Sequence, residues 1–362
     1  MLERVNPLRQ IDSPTGKGLS CSRDLHAEGE APSAPPGARK GGRPIAIEGG
    51  GAMPIMEGRE RLGFIGMGGM GRRMAARLLD AGLRLTVYNR TREKTKPLAE
   101  KGAAIAENPR ELAAASEVIL SSLSDDAAVE AVMLGPDGAF HGARPGTIFI
   151  EMSTLFPKTV RRLFEAARGK ESPFLDAPVS GSLPQAEEGS LTIFVGGTVE
   201  IYEYCKPIFD TLGKKHFYLG AGGNGAMMKL VANVLLGVGM QAVAEAVALG
   251  DKCGLAKGPL LDVLGETAVI SPGHKMKLEN ARREAYPAAF PLRLMLKDYR
   301  LILNQAAECS VSMPATAVAQ SLCAAEYTRG FEEDYSAVIR LMEELSGSVE
   351  GGAVRKREGA IH

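Results

Sequence analysis

Cysteine is scarce in this sequence: Cys21, Cys205, Cys253, Cys309 and Cys323 are its five, scattered and never spaced as CxxC. That pattern excludes a disulfide framework and a cysteine-built zinc site, and reads as reduced thiols of a cytoplasmic protein, mostly buried spacers. Histidine is as thin, five residues with no HxxxH or HExxH pair, so no metal site is expected. Net charge is missing altogether, with 43 lysines and arginines against 43 aspartates and glutamates. A balanced chain has no long-range attraction to nucleic acid or to an anionic membrane, although a local patch can still hold a phosphate. No apolar core of a secretory signal is present, and the acids Asp12, Asp24, Glu28 and Glu30 argue against an import peptide. What remains is 45% hydrophobic and 24% charged over 362 residues, a soluble globular mix with room for two domains.

One stretch, Leu230 to Gly250, is nearly continuous in apolar residues and about as long as a membrane span. Asn233, Gln241 and Glu245 interrupt it at helical spacing, and small residues such as Gly237 and Gly239 recur. A charge and two amides in hydrocarbon are costly, so the stretch reads as a long buried helix of a soluble protein.

Residues 1–58 differ from the rest. Proline and glycine clusters (Ala31 to Gly37, Gly49 to Gly51), mixed charges and no sustained periodicity read as a disordered tail. Alternatively, translation starts at Met53 or Met56 and the tail is not native. From Arg61 the pattern alternates. A buried strand at Leu62–Ile65 leads into glycines, a helix over Arg72–Ala81 stops at Gly82, and a strand follows at Leu85–Tyr88. Helices around Arg110–Ala115, from Asp126 and from Pro157 alternate with strands at Val118–Ser122, Thr147–Glu151 and Phe174–Ala177. Such alternation means a parallel sheet covered on both faces. Further strands are expected at Leu191–Val195 and His216–Leu219. Beyond Gly222 the strand signal fades, and helices are expected from about Asn224 and at Pro259–Glu266, Leu292–Glu308, Pro314–Thr328 and Tyr335–Leu345. The expected layout is an α/β Rossmann domain over 59–222 and an all-α domain over 223–345, joined by the long helix, with a loose tail over 346–362.

Gly66-Met67-Gly68-Gly69-Met70-Gly71 matches GxGxxG. Its first glycine permits the tight turn, its second lets backbone approach a pyrophosphate, and its third lets the helix pack on its strand. The pyrophosphate rests on the free N–H groups of the helix start. A lone GxGxxG is weak, but its place between strand and amphipathic helix makes it a dinucleotide site. NAD enzymes end the second strand with an acid for the ribose hydroxyls. Here the strand ends in Asn89-Arg90-Thr91, with no acid before Glu93, and an arginine with amide and hydroxyl donors suits a 2′-phosphate. The cofactor expected is therefore NADP (NADPH), with NAD possible.

Lys229 and Asn233 lie four apart, so they share one helix face and can reach one ligand. Hydride addition to a carbonyl builds negative charge on oxygen, and a lysine whose pKa falls toward neutrality supplies the proton. Against this stands a solvated lysine at a helix start, yet Lys229 opens the most apolar helix in the chain. Asn233 orients the lysine or the oxygen. Ser180 and the backbone N–H groups of Gly181 and Ser182 would hold a substrate carboxylate, the glycine allowing close approach.

Four blocks resemble one family. Asp176-Ala177-Pro178-Val179-Ser180-Gly181-Ser182, with Ala186-Glu187 and Gly189, is similar to the DxPVSGG substrate signature of the β-hydroxyacid dehydrogenases. Gly225 to Asn233 resembles their catalytic GxxxKxxxN helix, Phe290 to Lys297-Asp298 their late FxxxxxxKD segment, and Glu151-Met152-Ser153-Thr154 with Pro157 a block beside the nicotinamide. Glu151 stands where aspartate is more usual, and Ser182 where a second glycine is. The resemblance runs from about Leu62 to Leu345 and implies a 6-phosphogluconate dehydrogenase-like fold. It also implies Lys229 as proton donor, Phe290 and Asp298 on the substrate, and Leu123, Thr154 and Lys297 on the cofactor, with Lys297 helping to lower the pKa of Lys229. The wording of the Lys229 and Lys297 segments resembles the NADPH-using glyoxylate and succinic semialdehyde reductases. An NAD-dependent 3-hydroxyisobutyrate dehydrogenase and a tartronate semialdehyde reductase are the alternatives. Relatives that keep the fold as a non-catalytic interaction module, and imine-reducing relatives, have lost the lysine. The long apolar helix needs covering, which predicts a homodimer or homotetramer.

Overall fold

In the computed structural model the described residues are 58, 60–330 and 332–347. The expected tails lie outside them apart from Gly58 and residues 346–347, and so does Cys21. Strand β1 (Arg61–Ile65) is buried along Leu62–Ile65, the continuous apolar run of a strand covered on both faces. Helix α1 (Gly69–Asp80) starts three residues before the expected Arg72, because the glycine turn itself forms its first turn. It stops where Gly82 takes a φ of +84° and Leu83 N–H returns to the Leu78 carbonyl. Strand β2 (Arg84–Tyr88), helix α2 (Lys96–Glu100) and strand β3 (Ala104–Ile105) follow. Then come α3 (Pro109–Ala115), β4 (Val118–Ser121), α4 (Asp126–Leu134), α5 (Ala139–Gly142) and β5 (Ile148–Glu151). Helix α6 (Pro157–Arg168) and strand β6 (Phe174–Asp176) complete the unit. The Asn108 and Asp125 side chains accept from Glu111 N–H and Ala128 N–H, and so cap α3 and α4.

The six strands are all parallel, in the order β3-β2-β1-β4-β5-β6. Chain direction across the sheet reverses between β1 and β4, and the crevice beyond their carboxyl ends is where such sheets bind ligands. The two later strands expected from the sequence form a separate small sheet. Strand β7 (Val179–Ser180) runs antiparallel to β8 (Leu191–Val195), and β9 (Gly213–Tyr218) runs parallel to β8. Helices α7 (Leu183–Glu188) and α8 (Val199–Leu212) connect them.

Helix α9 (Asn224–Lys252) spans 29 residues. By length and composition it is the one helix among the described residues long and apolar enough to cross a membrane. Here it packs against α10 (Lys257–Glu266), α11 (Pro272–Arg283), α12 (Leu292–Glu308), α13 (Pro314–Gly330) and α14 (Val338–Leu345). Met240, Val243, Ala244 and Val247 form one core with Leu292, Met295, Tyr299 and Ile339. Gly237 is required there, since a Cβ would lie 2.5 Å from the Tyr299 hydroxyl. Helix α11 escapes a reading by apolar period because its sequence, PGHKMKLENARR, is mostly polar; Ser271 caps it by accepting from His274 N–H.

A buried carboxylate sits at the joint between sheet and helices. Asp176, 1% exposed at the end of β6, accepts from Gly223 N–H at 2.8 Å and Ala226 N–H at 2.7 Å, the free donors at the start of α9. A Cβ at Gly196 would lie 2.5 Å from one carboxylate oxygen and a Cβ at Gly225 2.9 Å from the other, so both positions must be bare. Asp176→Ala leaves two buried N–H groups unpartnered and removes a charge from the helix start. The expected loss is about 3 kcal/mol of stability, measured as a lowered urea midpoint with unchanged slope.

Candidate active site

The glycine turn is built by close approach. Gly66 has φ +101°, and a Cβ there would lie 2.3 Å from the Ser122 carbonyl; a Cβ at Gly71 would lie 1.9 Å from the Gly66 carbonyl. At Gly68 the opposite holds: a Cβ would meet nothing within 4 Å, which leaves open space over the start of α1 for a ligand. The turn is fastened to the end of β2. Asn89 Oδ1 accepts from Met67 N–H at 2.9 Å, and Asn89 Nδ2 donates to the Thr91 carbonyl at 2.8 Å. Asn89 thus shapes the turn, while Arg90 is exposed beside it. A cleft of about 610 Å³ runs from Met67, Gly68 and Gly69 along α1, with Arg72, Arg73 and Lys94 among its walls. Bare backbone N–H groups, a helix start and a basic rim fit a dinucleotide bearing an extra phosphate. Met70 turns inward and packs against the sheet core.

Lys229 and Asn233 lie on α9, Lys297 and Asp298 on α12, and the structure brings all four together. Asn233 Nδ2 donates to Asp298 Oδ2 at 2.6 Å, and Lys297 pairs with Asp298 Oδ1 at 2.9 Å. Lys297 also donates to the Thr154 carbonyl at 2.6 Å, which ties the helical half to the loop after β5. Asn233 and Asp298 are buried, each 2% exposed. Burial pushes the pKa of Lys229 down to about 8; Asp298 opposes the shift and the Lys297 ammonium adds to it. The usual fate of a lysine, a solvated ammonium at a helix start, is not what this one meets.

Ser180 ends β7 and Gly181 follows it, and β7 packs with β6 against α9. Gly181 takes φ +137°, and a Cβ there would lie 2.8 Å from the Leu191 side chain. The N–H of Ser182, named with Ser180 and Gly181 for the substrate carboxylate, has a partner within the chain. That group donates to Gln185 Oε1 at 2.9 Å, and the Ser182 hydroxyl donates to the same oxygen at 2.8 Å. Ser182 starts α7, so its donors serve the helix end. Phe290 is half-buried, edge-on to Tyr335 at 5.7 Å, and belongs to the rim of the helical core.

Two groups escaped the sequence reading. Asp176 appeared only as a signature letter, and its capping of α9 depends on a fold that brings residues 47 and 50 positions away to it. Glu151 was noted only as a departure from aspartate. It is buried at the end of β5, where Ser121 Oγ donates to Oε2 at 2.5 Å and Ser153 N–H to Oε1 at 2.7 Å. Ser153 Oγ in turn accepts from Leu123 N–H at 2.8 Å. The signal was present in the serines that end or follow neighbouring strands.

Comparison with known proteins agrees with this arrangement. Residues 61–220 match the family model described as the NAD binding domain of 6-phosphogluconate dehydrogenase. Residues 223–342 match that described as NAD-binding of NADP-dependent 3-hydroxyisobutyrate dehydrogenase. The chain is 39% identical over 283 residues to glyoxylate/succinic semialdehyde reductase 1 of Arabidopsis thaliana, covering 78% of this chain and 98% of that one. Among solved structures, 3-hydroxyisobutyrate dehydrogenase from Salmonella typhimurium superposes with a TM-score of 0.73 at 26% identity, over 78% of this chain and 99% of that one. Psf3 in complex with NADP+ and 2-OPP superposes with a TM-score of 0.72 at 25% identity, over the same shares. The chain belongs to the β-hydroxyacid dehydrogenase family of NAD(P)-dependent oxidoreductases, with a Rossmann domain followed by a helical domain.

Proposed function

We propose that the chain reduces a small aldehyde acid, glyoxylate or succinic semialdehyde, to its hydroxy acid with NADPH. The observation that carries this reading is Lys229, a lysine with its pKa near 8, set beside Asn233, Asp298 and Lys297 where both halves of the chain meet. NADPH, when bound, supplies hydride to the carbonyl carbon. Lys229 as ammonium gives a proton to the carbonyl oxygen as charge builds there, and its neutral amine is recharged from solvent. Asp298 holds Asn233 and Lys297 in place. The charge of Lys297 acts on the amine and helps keep Lys229 readier to release a proton than a free lysine. Ser180 and the Gly181 N–H hold the substrate carboxylate, and Phe290 walls the substrate. Leu123 and Thr154, joined through Ser153 and Lys297, receive the nicotinamide end.

The choice of NADPH rests on Arg90 and Thr91, which stand where NAD enzymes place an acid, and on Lys94 and Arg72 lining the cleft beyond. The choice of aldehyde rests on the similarity to the Arabidopsis reductase. We take 59–222 and 223–345 as the two domains, with 1–58 and 346–362 as tails, and a cytoplasmic site of action. We also place α9 at the interface of a homodimer or homotetramer, since Val231, Leu235 and Leu249 on it are 51%, 74% and 67% exposed.

Turnover of NADPH with glyoxylate and succinic semialdehyde tests the reading. Lys229→Ala is expected to lose about three orders of magnitude in kcat, the middle of the range for a general acid, while NADPH still binds. In wild type, kcat/KM for reduction should hold steady up to pH 7 and fall above about 8, where Lys229 loses its proton; oxidation of the hydroxy acid should rise over the same range. No turnover of either aldehyde by folded wild type sinks the substrate assignment and favours 3-hydroxyisobutyrate with NAD. Arg90→Ala should cut the preference for NADPH over NADH by roughly tenfold or more, as loss of a charge-assisted phosphate contact does, read from the two kcat/KM values. Light scattering in solution should return a dimer or tetramer; a monomer at micromolar concentration refutes the interface on α9.

A further inference from the structure

Glu151 is the least expected charge in the chain. It ends β5 at 1% exposure, in register with Ser121 on β4 and Asp176 on β6. Its carboxyl joins Ser121 Oγ to Ser153 N–H, and Ser153 Oγ holds Leu123 N–H, so one side chain sets both loops that carry Leu123 and Thr154. Neither of its hydrogen bonds comes from a lysine or an arginine. The elements around it present Asp126 from α4, Asp176 from β6 and, by way of the Thr154 carbonyl, Lys297 with Asp298 from α12. Burial, aided by Asp126, pushes the Glu151 pKa up to about 7 against the pull of the two serines. Both forms are therefore present near neutrality. The serine contact suits each of them, since the hydroxyl donates to the carboxylate and can accept from the acid.

We propose that Glu151 sets the charge of the cofactor site: its carboxylate favours the positively charged oxidised nicotinamide over the neutral reduced ring, so the ratio of the two cofactor affinities changes with pH. The proposal rests on the reading above that the nicotinamide lies against Leu123 and Thr154. Oxidised cofactor binding to the neutral acid drives a proton from Glu151 to solvent, while reduced cofactor binding does not. As pH falls the site turns toward the reduced cofactor, the form that starts a reduction.

Lys229 would answer to the same pyridinium charge, so the test is made on Lys229→Ala, in which that group is gone. Dissociation constants for NADP+ and NADPH are measured by calorimetry from pH 5.5 to 8.5, on Lys229→Ala and on Lys229→Ala with Glu151→Gln. Glutamine can keep both contacts, its oxygen to Ser153 N–H and its amide to Ser121 Oγ. Taking the ratio of the two constants cancels the titration of the 2′-phosphate, which both cofactors share. In Lys229→Ala the ratio Kd(NADP+)/Kd(NADPH) should fall roughly tenfold across this range, the order a single buried charge exerts through an effective dielectric of about 20. In the double variant it should be flat, and the excess of protons released on NADP+ binding over NADPH binding at pH 7 should vanish. A flat ratio in Lys229→Ala, or an unchanged slope in the double variant, overturns the proposal. Failure of Lys229→Ala to bind either cofactor overturns the cofactor reading itself, and the proposal with it.

Discussion

The contact between the Asp176 carboxylate and the first N–H groups of α9 is where the two halves of this chain become one object. A helix start offers several donors with no partner of their own, and a buried carboxylate needs donors. Each satisfies the other at the end of the last strand of the large sheet. Lys229 sits three residues beyond Ala226 on the same helix, so this junction helps to set its place relative to the sheet. The glycines at 196 and 225 follow from it, since a side chain at either would occupy the space the carboxylate uses.

A second set of contacts crosses the same boundary further out. Lys297 on α12 reaches the Thr154 carbonyl, and Asp298 next to it holds Asn233 on α9. The buried acid is flanked by an amide and an ammonium, so its charge is matched without salt from solvent. Lys229 then stands beside both an acid and a second lysine. Its pKa is the outcome of burial and Lys297 pulling down against Asp298 pulling up, which leaves it close to the pH at which it would work.

Much of this was legible in the sequence because the signals are local. The glycine turn, the apolar strands and the four-residue spacing of Lys229 and Asn233 all lie within a few residues of one another. Helix α12 runs over the span read from its apolar period, Leu292–Glu308. What escaped was set by distant partners or by polar sequence. Helix α11 has too few apolar residues to show a period, and α8 lies in a stretch to which no element was given. Ser182 reads as a loop residue until Gln185 is seen to take its N–H, and Asn89 as a free donor until Met67 and Thr91 are seen to use both of its ends. Glu151 has only Ser153 as a local cue, because its other partner, Ser121, comes from a neighbouring strand.

The segment that carries Phe290 is anchored in a different way from Lys229. Tyr335 N–H bonds the Phe290 carbonyl, Asp334 N–H the Tyr286 carbonyl, and the Asp334 carboxylate accepts from Ala289 and Phe290 N–H. None of these attachments involves α9 or the large sheet. The proposed substrate wall and the proposed proton donor are therefore held by different hydrogen bonds, one set along a short hairpin-like seam and the other at the start of a long rod-like helix. On that proposal, drift in the seam would move Phe290 while the rod keeps its register, which would give a lineage built on this scaffold a way to change its diet without relearning its chemistry.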